Sequence, residues 1–318
     1  MAQLGNVVAT NNSIGNREDL SDVIYRVVPE ETPFVSNIGK SKATGIFHEW
    51  QTETLDTPSA SNAAIEGNVF TIGAGNLTTR IGNQSQILTK TFAVSRTEDV
   101  VKKAGRTSET NRQKTLKMLS LRRDMEMSAL ANQSAVARNS TTAGVMGGAL
   151  AWMTSNTSLG ATGANGTYAV GVGPVAATNG TLRAFTETQL KAIMVSAFNN
   201  GGKPSQVYMS GVDKQAFSAF TGIATIRHEA PGEKQASLIG AEDVYVSDYG
   251  NLAAIPHPYG LTRDALFIDP TKWAIAELDG IKGGDLPETA DGTQYKITWE
   301  GTLESRNQLA SGVVRDLL

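Results

Sequence analysis

Apolar residues recur at helical spacing in the middle of the chain, and this pattern predicts its longest helix. Ser95 and Glu98 form a capping box that begins a first helical stretch. After Gly105, a run from about 107 to 136 contains neither Pro nor Gly. About 30 helical residues would span roughly 45 Å, so we expect a structural spine. Its two adjoining apolar faces carry Met118, Leu121, Met125 and Ala129, and Leu116, Leu119, Met127 and Leu130.

Shorter segments on both sides of this helix predict a mixture of helices and strands. Residues 295–303 alternate between apolar and polar side chains, which is typical of a half-buried strand. Thr186 and Gln189 form a second capping box, and the helix that they begin should end at Asn200. The fold class is therefore α+β. Further strands are predicted at 46–50, 69–72, 86–94, 207–210, 244–246 and 266–268, and further helices at 19–28 and 214–220.

Two segments differ from the rest in composition. Residues 44–89 are rich in Thr, Asn, Gly and Ser and offer few large apolar side chains. This composition predicts a long two-stranded segment that extends away from a compact core. Residues 139–182 contain no Asp, Glu, Lys or Arg. Because this second segment includes Trp152, Met153 and Tyr168, we expect loops or short strands that pack on another part of the protein.

Composition excludes several classes of protein. The 318 residues carry a net charge of -3 and no Cys, which excludes a disulfide scaffold, a thiolate metal site and a cysteine nucleophile. The near-neutral charge argues against a general nucleic-acid binder. No apolar run approaches the ~20 residues of a membrane helix, and residues 1–16 do not resemble a signal peptide.

Motifs for catalysis are incomplete. Gly39-Lys40-Ser41 lacks the first Gly of a P-loop, because position 34 is Phe. The histidines at 48, 228 and 257 are far apart and are expected to be packed or surface residues. Glu300 and Glu304 share one face of the last strand, and a hydrolase that uses this pair is retained as an alternative. We expect no enzyme activity, no metal and no cofactor.

Eight of the 28 basic residues fall between 102 and 123. Contact with a phosphate backbone is one interpretation of this cluster. We favour a solvated or inter-subunit face, because Glu98, Glu109 and Asp124 are interleaved with the cations.

The order of these zones, together with several short motifs, resembles the major capsid proteins of tailed bacteriophages, which have the Johnson fold. The resemblance spans essentially the whole chain. Its motifs are Glu31-Thr32-Pro33-Phe34 with Ile38-Gly39-Lys40, Glu49-Trp50, Glu66-Gly67, Arg80-x-x-Asn83-x-x-Gln86, Val94-Ser95-x-Thr97, Ala104-Gly105-Arg106-x-x-Glu109, Arg123-Asp124-Met125-Glu126 and Glu300-x-Thr302-Leu303-Glu304-x-x-Asn307-x-x-Ala310.

This resemblance implies a division of the chain. The expected parts are an N-terminal arm and short helix (1–40), an E-loop hairpin (41–93), the spine helix with the first part of the P-domain (94–145), the A-domain (146–268) and the returning P-domain strands with the C-terminus (269–318).

The resemblance also implies a function. We expect a non-enzymatic major capsid protein that self-assembles into pentamers and hexamers of an icosahedral head around double-stranded DNA. It would assemble in the host cytoplasm and reside in the virion capsid. Expected partners are other copies of itself, separate scaffolding and portal proteins, a cement protein as a further candidate, and DNA through weak non-specific contact, but no membrane. The alternative with the same fold is the shell protein of an encapsulin-type nanocompartment.

The resemblance supplies candidate residues for subunit contacts or for ordering the chain. Two family features are not expected here. Residues 44–89 contain no Lys, so we expect no Lys–Asn crosslink in the hairpin. Only about 17 residues precede the first predicted helix, so we expect scaffolding to come from another protein or segment. The candidates are Trp50, Arg80, Asn83 and Gln86 in the hairpin, Arg106, Glu109, Asp124 and Glu126 near or in the spine, and Glu300, Glu304 and Asn307 near the C-terminus.

Overall fold

Two β-sheets and a long helix organise the chain. The computed structural model describes residues 28–29, 31–69, 72–105, 107–220, 244–287 and 291–318. The predicted arm and nearly all of the helix expected at 19–28 lie outside these ranges.

The described elements alternate between helix and strand without a regular repeat, so the α+β prediction is confirmed. The helices are α1 (Pro33–Asn37), α2 (Arg96–Val100), α3 (Glu109–Leu130), α4 (Ala149–Trp152), α5 (Glu187–Asn199) and α6 (Gly211–Ser218). The strands are β1 (Gly39–Lys42), β2 (Phe47–Thr52), β3 (Thr79–Gln84), β4 (Gln86–Ser95), β5 (Thr157–Ser158), β6 (Thr167–Ala169), β7 (Gly173–Val175), β8 (Gln206–Met209), β9 (Val244–Ser247), β10 (Gly250–Pro256), β11 (Ala265–Ile268), β12 (Trp273–Leu286), β13 (Gly292–Ser305) and β14 (Gly312–Val314).

The first sheet has the strand order β1-β12-β13-β4, and α3 packs against it. The predicted alternation of β13 is confirmed around Ile297 and Trp299, which are buried, while Lys296 is exposed. From Gly301 onward every residue of β13 is buried, because a second layer covers the other face. The long strand β12 was not predicted, since register shifts near Asp279 interrupt its alternation.

The second sheet has the order β5-β14-β11-β8-β10-β9 and separates two hydrophobic cores. Neighbouring residues on one strand point into different cores. Tyr208 and Leu266 pack with the spine helix and the first sheet, whereas Val207 and Phe267 pack with α5 and α6. The two cores therefore pack on opposite faces of this sheet.

The spine helix is shorter than predicted. Ser108 caps α3 by accepting a hydrogen bond from the Asn111 N–H at 3.3 Å, and the helix ends at Leu130 rather than near 136. Its 22 residues span about 33 Å. Gly148 packs so closely against Ala131 that a Cβ there would come within 2.1 Å of the Ala131 oxygen. The residue that follows the helix is thus packed tightly against Gly148, and residues 131–136 contain no Pro or Gly that would mark the end of the helix.

The predicted apolar faces of the spine are only partly confirmed. Leu121, Met125 and Leu130 are buried, but Met118 and Met127 are 40% and 41% exposed. The apolar stripe that packs on the core is therefore narrower than the sequence pattern indicates.

The predicted two-stranded segment is confirmed at its base, where β2 and β3 form an antiparallel pair. We call these two strands and the chain between them the hairpin, and residues 53–78 the hairpin tip. The described residues of the tip, 53–69 and 72–78, form no helix or strand, and the middle of the strand predicted at 69–72 lies outside the described residues.

The charge-free segment packs on the body, as predicted. Met146, Leu150, Trp152 and Met153 are buried in the first core. β6 and β7 form a short antiparallel pair beside them.

The second core follows its sequence pattern closely. The capping box of Thr186 and Gln189 begins α5, and the chain turns at Gly201, which has a φ of 75°. The predicted strands at 207–210, 244–246 and 266–268 correspond to β8, β9 and β11, and the predicted helix at 214–220 corresponds to α6. No helix among the described ranges is long and apolar enough to cross a membrane.

Candidate functional site

The structure brings five of the candidate residues together where the hairpin leaves the body. Trp50, Asn83 and Gln86 come from the hairpin and the start of β4, and Glu300 and Glu304 come from β13. The hairpin base thus forms the second layer that covers the end of β13.

Asn83 lies at the centre of this junction and is fully buried. Its Nδ2 donates hydrogen bonds to the Gly147 oxygen at 3.0 Å and the Leu303 oxygen at 2.9 Å. Its Oδ1 accepts from the Gly147 N–H at 2.8 Å and the Gln84 N–H at 3.0 Å. Every hydrogen-bonding position of this carboxamide is used, so Asn83 joins the hairpin, the segment after the spine and β13 at one point.

Trp50 holds the other strand of the hairpin. Its indole N–H donates to the Ser305 oxygen at 3.0 Å. Its ring lies 5.6 Å, centroid to centroid, from both His48 and Trp152, and Trp152 stacks on Tyr168 at 5.7 Å. This row of rings links the hairpin to the charge-free segment.

Glu304 is a buried carboxylate with three partners. It accepts hydrogen bonds from the Ser41 hydroxyl at 2.5 Å and Arg306 Nε at 2.9 Å, and its Oε2 lies 3.4 Å from His48 Nε2. Burial alone would raise its pKa, but the hydrogen bonds from His48, Ser41 and Arg306 outweigh it and lower the pKa of Glu304 to about 2.

Glu300 lies on the same face of β13 and is paired separately. Arg138 Nη2 donates to its Oε1 at 2.6 Å, and the Ser85 hydroxyl donates to the same oxygen at 3.2 Å. Nearby, Gln86 Oε1 accepts from the Met146 N–H at 3.2 Å. These contacts fasten the start of β4 to β13 and to the segment after the spine.

This geometry does not favour carboxylate catalysis. Both Glu300 and Glu304 are bonded to basic and hydroxyl groups of the same chain. Two cavities, of about 580 and 400 Å³, are lined by other residues. Among the described residues, no group of three or more His, Asp or Glu is arranged to hold a metal ion.

Two candidates on the spine lie away from the hairpin base and differ sharply in environment. Asp124 is partly exposed and forms an ion pair with Lys90 at 2.5 Å. Glu126 is fully buried, and its two oxygens accept hydrogen bonds from the N–H groups of Phe34 at 2.7 Å and Val35 at 2.8 Å. Glu126 therefore holds the start of α1 against the spine.

The remaining candidates have local roles. Glu109, at the start of α3, accepts hydrogen bonds from its own turn. Arg80 pairs with Glu49 at 3.0 Å on the exposed side of the hairpin. Asn307 Oδ1 caps a short 3-10 turn by accepting from the Leu309 N–H. Arg106 lies outside the described residues.

Two basic side chains of the spine helix contact aromatic rings of the same chain. Lys114 lies over the Tyr295 ring and Arg123 over the Tyr259 ring, at 4.1 and 5.2 Å from the centroids. Such cation–π contacts favour a structural interpretation of these two residues.

Sequence reasoning missed the partners of the candidates. Ser41 was considered only as part of an incomplete P-loop, Arg138 and Gly147 were not singled out, and His257 was expected only to be packed or exposed. His257 Nε2 lies 2.8 Å from Glu126 Oε1, and both side chains are fully buried. These partners are 64 to 263 positions away from the candidates that they contact, so no local pattern could show them.

Comparison with known proteins gives a consistent result. Residues 7–318 match a family model described as SU10 major capsid protein. The major capsid protein of Escherichia phage Phieco32 is 32% identical over 120 residues, which span 38% of this chain and only 34% of that relative.

Solved structures share the fold. A Cyanophage A-1(L) capsid asymmetric unit has a TM-score of 0.66 and 13% identity, with 99% of each chain covered. The capsid of an empty GTA particle has a TM-score of 0.63 and 14% identity, covering 99% of this chain and all of the other. A structure from Gordonia phage Cozz has a TM-score of 0.60 and 11% identity, covering 100% and 98%.

Proposed function

The chain belongs to the SU10 major capsid protein family, and from this premise we propose that it builds a phage head by docking its hairpin tip on a neighbouring copy. The family is one of structural shell proteins, so the prediction of a non-enzymatic capsid protein with the Johnson-type fold is confirmed. The match to a phage capsid family disfavours the hydrolase and the encapsulin-type alternatives.

The observation that carries the proposal is the exposure of large apolar side chains on the hairpin tip. Leu55, Ile65, Val69, Ile72 and Leu77 are each between 82% and 95% exposed. Large apolar side chains that are exposed in this number on one segment are typical of protein–protein interaction sites. A tip that buries almost nothing within its own chain gains its stability from a second chain.

Charge supports a second copy as the partner. The tip carries Glu53, Asp56 and Glu66 and no Lys or Arg. The spine region, by contrast, combines cations with exposed apolar residues, among them Met118 and Arg122. An acidic, apolar tip complements such a surface on a neighbouring subunit.

The hairpin base supports the proposal mechanically. The contacts of Asn83 and Trp50 fix the two strands to β13 and to the segment after the spine. Because the base is fixed, the tip can reach a neighbouring subunit in a defined direction. The hairpin then loses less conformational entropy on binding.

We also propose the finer features that the resemblance implies. The hairpin would belong to the E-loop and α3 would be the spine helix, and the P-domain and A-domain would have the boundaries given above. Copies would form pentamers and hexamers of an icosahedral shell in the host cytoplasm, with separate scaffolding and portal proteins and with a cement protein as a further candidate partner. Double-stranded DNA would be held by weak contact, in keeping with the net charge of -3.

The test removes apolar groups from the tip. Leu55→Ser, Ile72→Ser and Leu77→Ser together should leave the circular dichroism spectrum unchanged, since all three residues are exposed, but should prevent shells in negative-stain images and in sedimentation. A matched trio outside the hairpin is Val170→Ser, Val212→Ser and Val246→Ser, with exposures of 87%, 65% and 74%. Shells formed by the tip variant, or equal loss of shells in both trios, would contradict tip docking. Particles from infected cells that held protein cargo and no DNA would indicate a nanocompartment instead.

A further inference from the structure

Residues 31–37, which we call the N-terminal anchor, are seated between the spine and both sheets. Phe34 is fully buried and packs edge-on against Tyr208 and Trp273, at centroid distances of 5.6 and 6.4 Å. The carboxylate of Glu126 accepts hydrogen bonds from two backbone N–H groups of this anchor. The anchor therefore depends on one buried negative group.

His257 contacts that group from the opposite side. Its Nε2 lies 2.8 Å from Glu126 Oε1, and its Nδ1 accepts a hydrogen bond from the Tyr259 N–H at 3.3 Å. A nitrogen that accepts from an N–H carries no proton, so these partners assign the neutral ring with the proton on Nε2. Both ring nitrogens are used.

Tyr259 closes over the anchor like a strap. Its hydroxyl donates to the Glu31 oxygen at 2.5 Å, and its ring lies under the guanidinium of Arg123. Its backbone N–H is joined to His257 Nδ1 by the hydrogen bond described above. His257 thus acts on the anchor twice, through Glu126 and through Tyr259.

We propose that His257 is a proton-sensitive positioning residue, and that a second proton on its Nδ1 releases the Tyr259 strap from the N-terminal anchor. The added proton would place an N–H donor against the Tyr259 N–H, so that this hydrogen bond is lost. The ring cannot turn away, because the imidazolium would bind the Glu126 carboxylate more strongly than the neutral ring does. Tyr259 moves, while the contact to Glu126 remains.

The surroundings of His257 allow this response. A cavity of about 580 Å³ is lined by His257, Tyr259 and Leu261, so Tyr259 has space into which it can move. The titratable and charged groups on the elements around the ring are Arg123 and Glu126 of α3, Glu31 of the anchor, Tyr208 of β8, Asp213 of α6 and Tyr259 of the same loop.

The experiment is hydrogen exchange by mass spectrometry on the purified full chain, with rates corrected for the intrinsic effect of pH. Between pH 8 and pH 5.5, peptides covering 31–37 and 257–262 should exchange about tenfold faster in the wild type, the effect of losing one buried hydrogen bond. In His257→Gln, which cannot gain a charge, these peptides should show no acid response.

Two further variants make the result decisive. His48→Gln alters the histidine at the hairpin base and should retain the wild-type acid response at the anchor. Tyr259→Phe removes the strap's bond to Glu31, so its anchor should already exchange faster at pH 8 and change little on acidification. An equal acid response in His257→Gln, or none in the wild type, would overturn the proposal. Should His257→Gln fail to fold, an undiminished acid response in Tyr259→Phe would overturn it as well.

Discussion

Asn83 and Gly147 form a reciprocal pair of hydrogen bonds, in which the side-chain amide of one residue both donates to and accepts from the backbone of the other, at 3.0 and 2.8 Å. The pair joins residues 64 positions apart and is completely buried. The hairpin is therefore attached to the body by a contact that depends on the orientation of one amide.

Asn83→Asp tests this contact. A carboxylate can still accept from the Gly147 N–H, but its second oxygen would face the carbonyl oxygens of Gly147 and Leu303. We expect the free energy of unfolding to fall by about 3 kcal/mol in chemical denaturation. Asn76→Asp, on the exposed hairpin tip, makes the same chemical change and should alter it by less than about 0.5 kcal/mol. Similar effects of the two variants would contradict the role of Asn83.

Gly148→Ala tests how the spine ends. The added methyl group would come within 2.1 Å of the Ala131 oxygen, so the end of α3 must shift. Overpacking of this kind costs about 1–3 kcal/mol, which thermal unfolding would show as a lower Tm. Gly73→Ala is the control, because nothing lies within 4 Å of its Cβ position. An unchanged Tm for Gly148→Ala would show that the contact with Ala131 does not constrain the end of α3.

Glu304 predicts an acid-dependent part of the stability. Its pKa in the folded protein is about 2, below the ordinary value of 4.5, so its contribution is present above pH 4.5 and is lost as the pH falls towards 2. We expect Glu304→Gln to be less stable than the wild type by up to about 3 kcal/mol at pH 7. In urea titrations the difference should shrink steadily below pH 4.5. Glu66→Gln, on the exposed tip, should match the wild type throughout, and a difference for Glu304→Gln that does not depend on pH would exclude this explanation.

Two acidic residues of the spine should respond very differently to neutralisation. Glu126→Gln removes the charge that accepts from Phe34 and Val35 in a fully buried site, and we expect a loss of about 2–4 kcal/mol. Asp124→Asn breaks only the partly exposed pair with Lys90 and should cost less than about 1 kcal/mol. The same denaturation series measures both variants. Equal losses would mean that burial does not decide the importance of these residues.

Features that depend on neighbouring residues could be predicted from the sequence, and features that depend on distant ones could not. The start of α5 could be predicted, because Thr186 and Gln189, which form its capping box, are only three residues apart. The end of the spine packs against Gly148, which lies outside the helix, and no residue of the local sequence marks it, so the sequence pattern predicted too long a helix. The strand β12 was missed because bulges near Asp279 break its alternation.

The candidate site shows the same limit. The family resemblance singled out Asn83, Glu126 and Glu304 but not the groups that they bind. Gly147 and His257 become neighbours of those residues only in the folded chain. The inter-subunit roles of the candidates, and that of Arg106 in particular, stay predictions.

The sheet between the two cores has a consequence for how this protein can change. Val207 and Tyr208 are consecutive residues of one strand, yet each completes a different core. A substitution that moves β8 to suit one core displaces a side chain of the other. Because both cores share this strand, we expect them to unfold in a single transition rather than as separate modules.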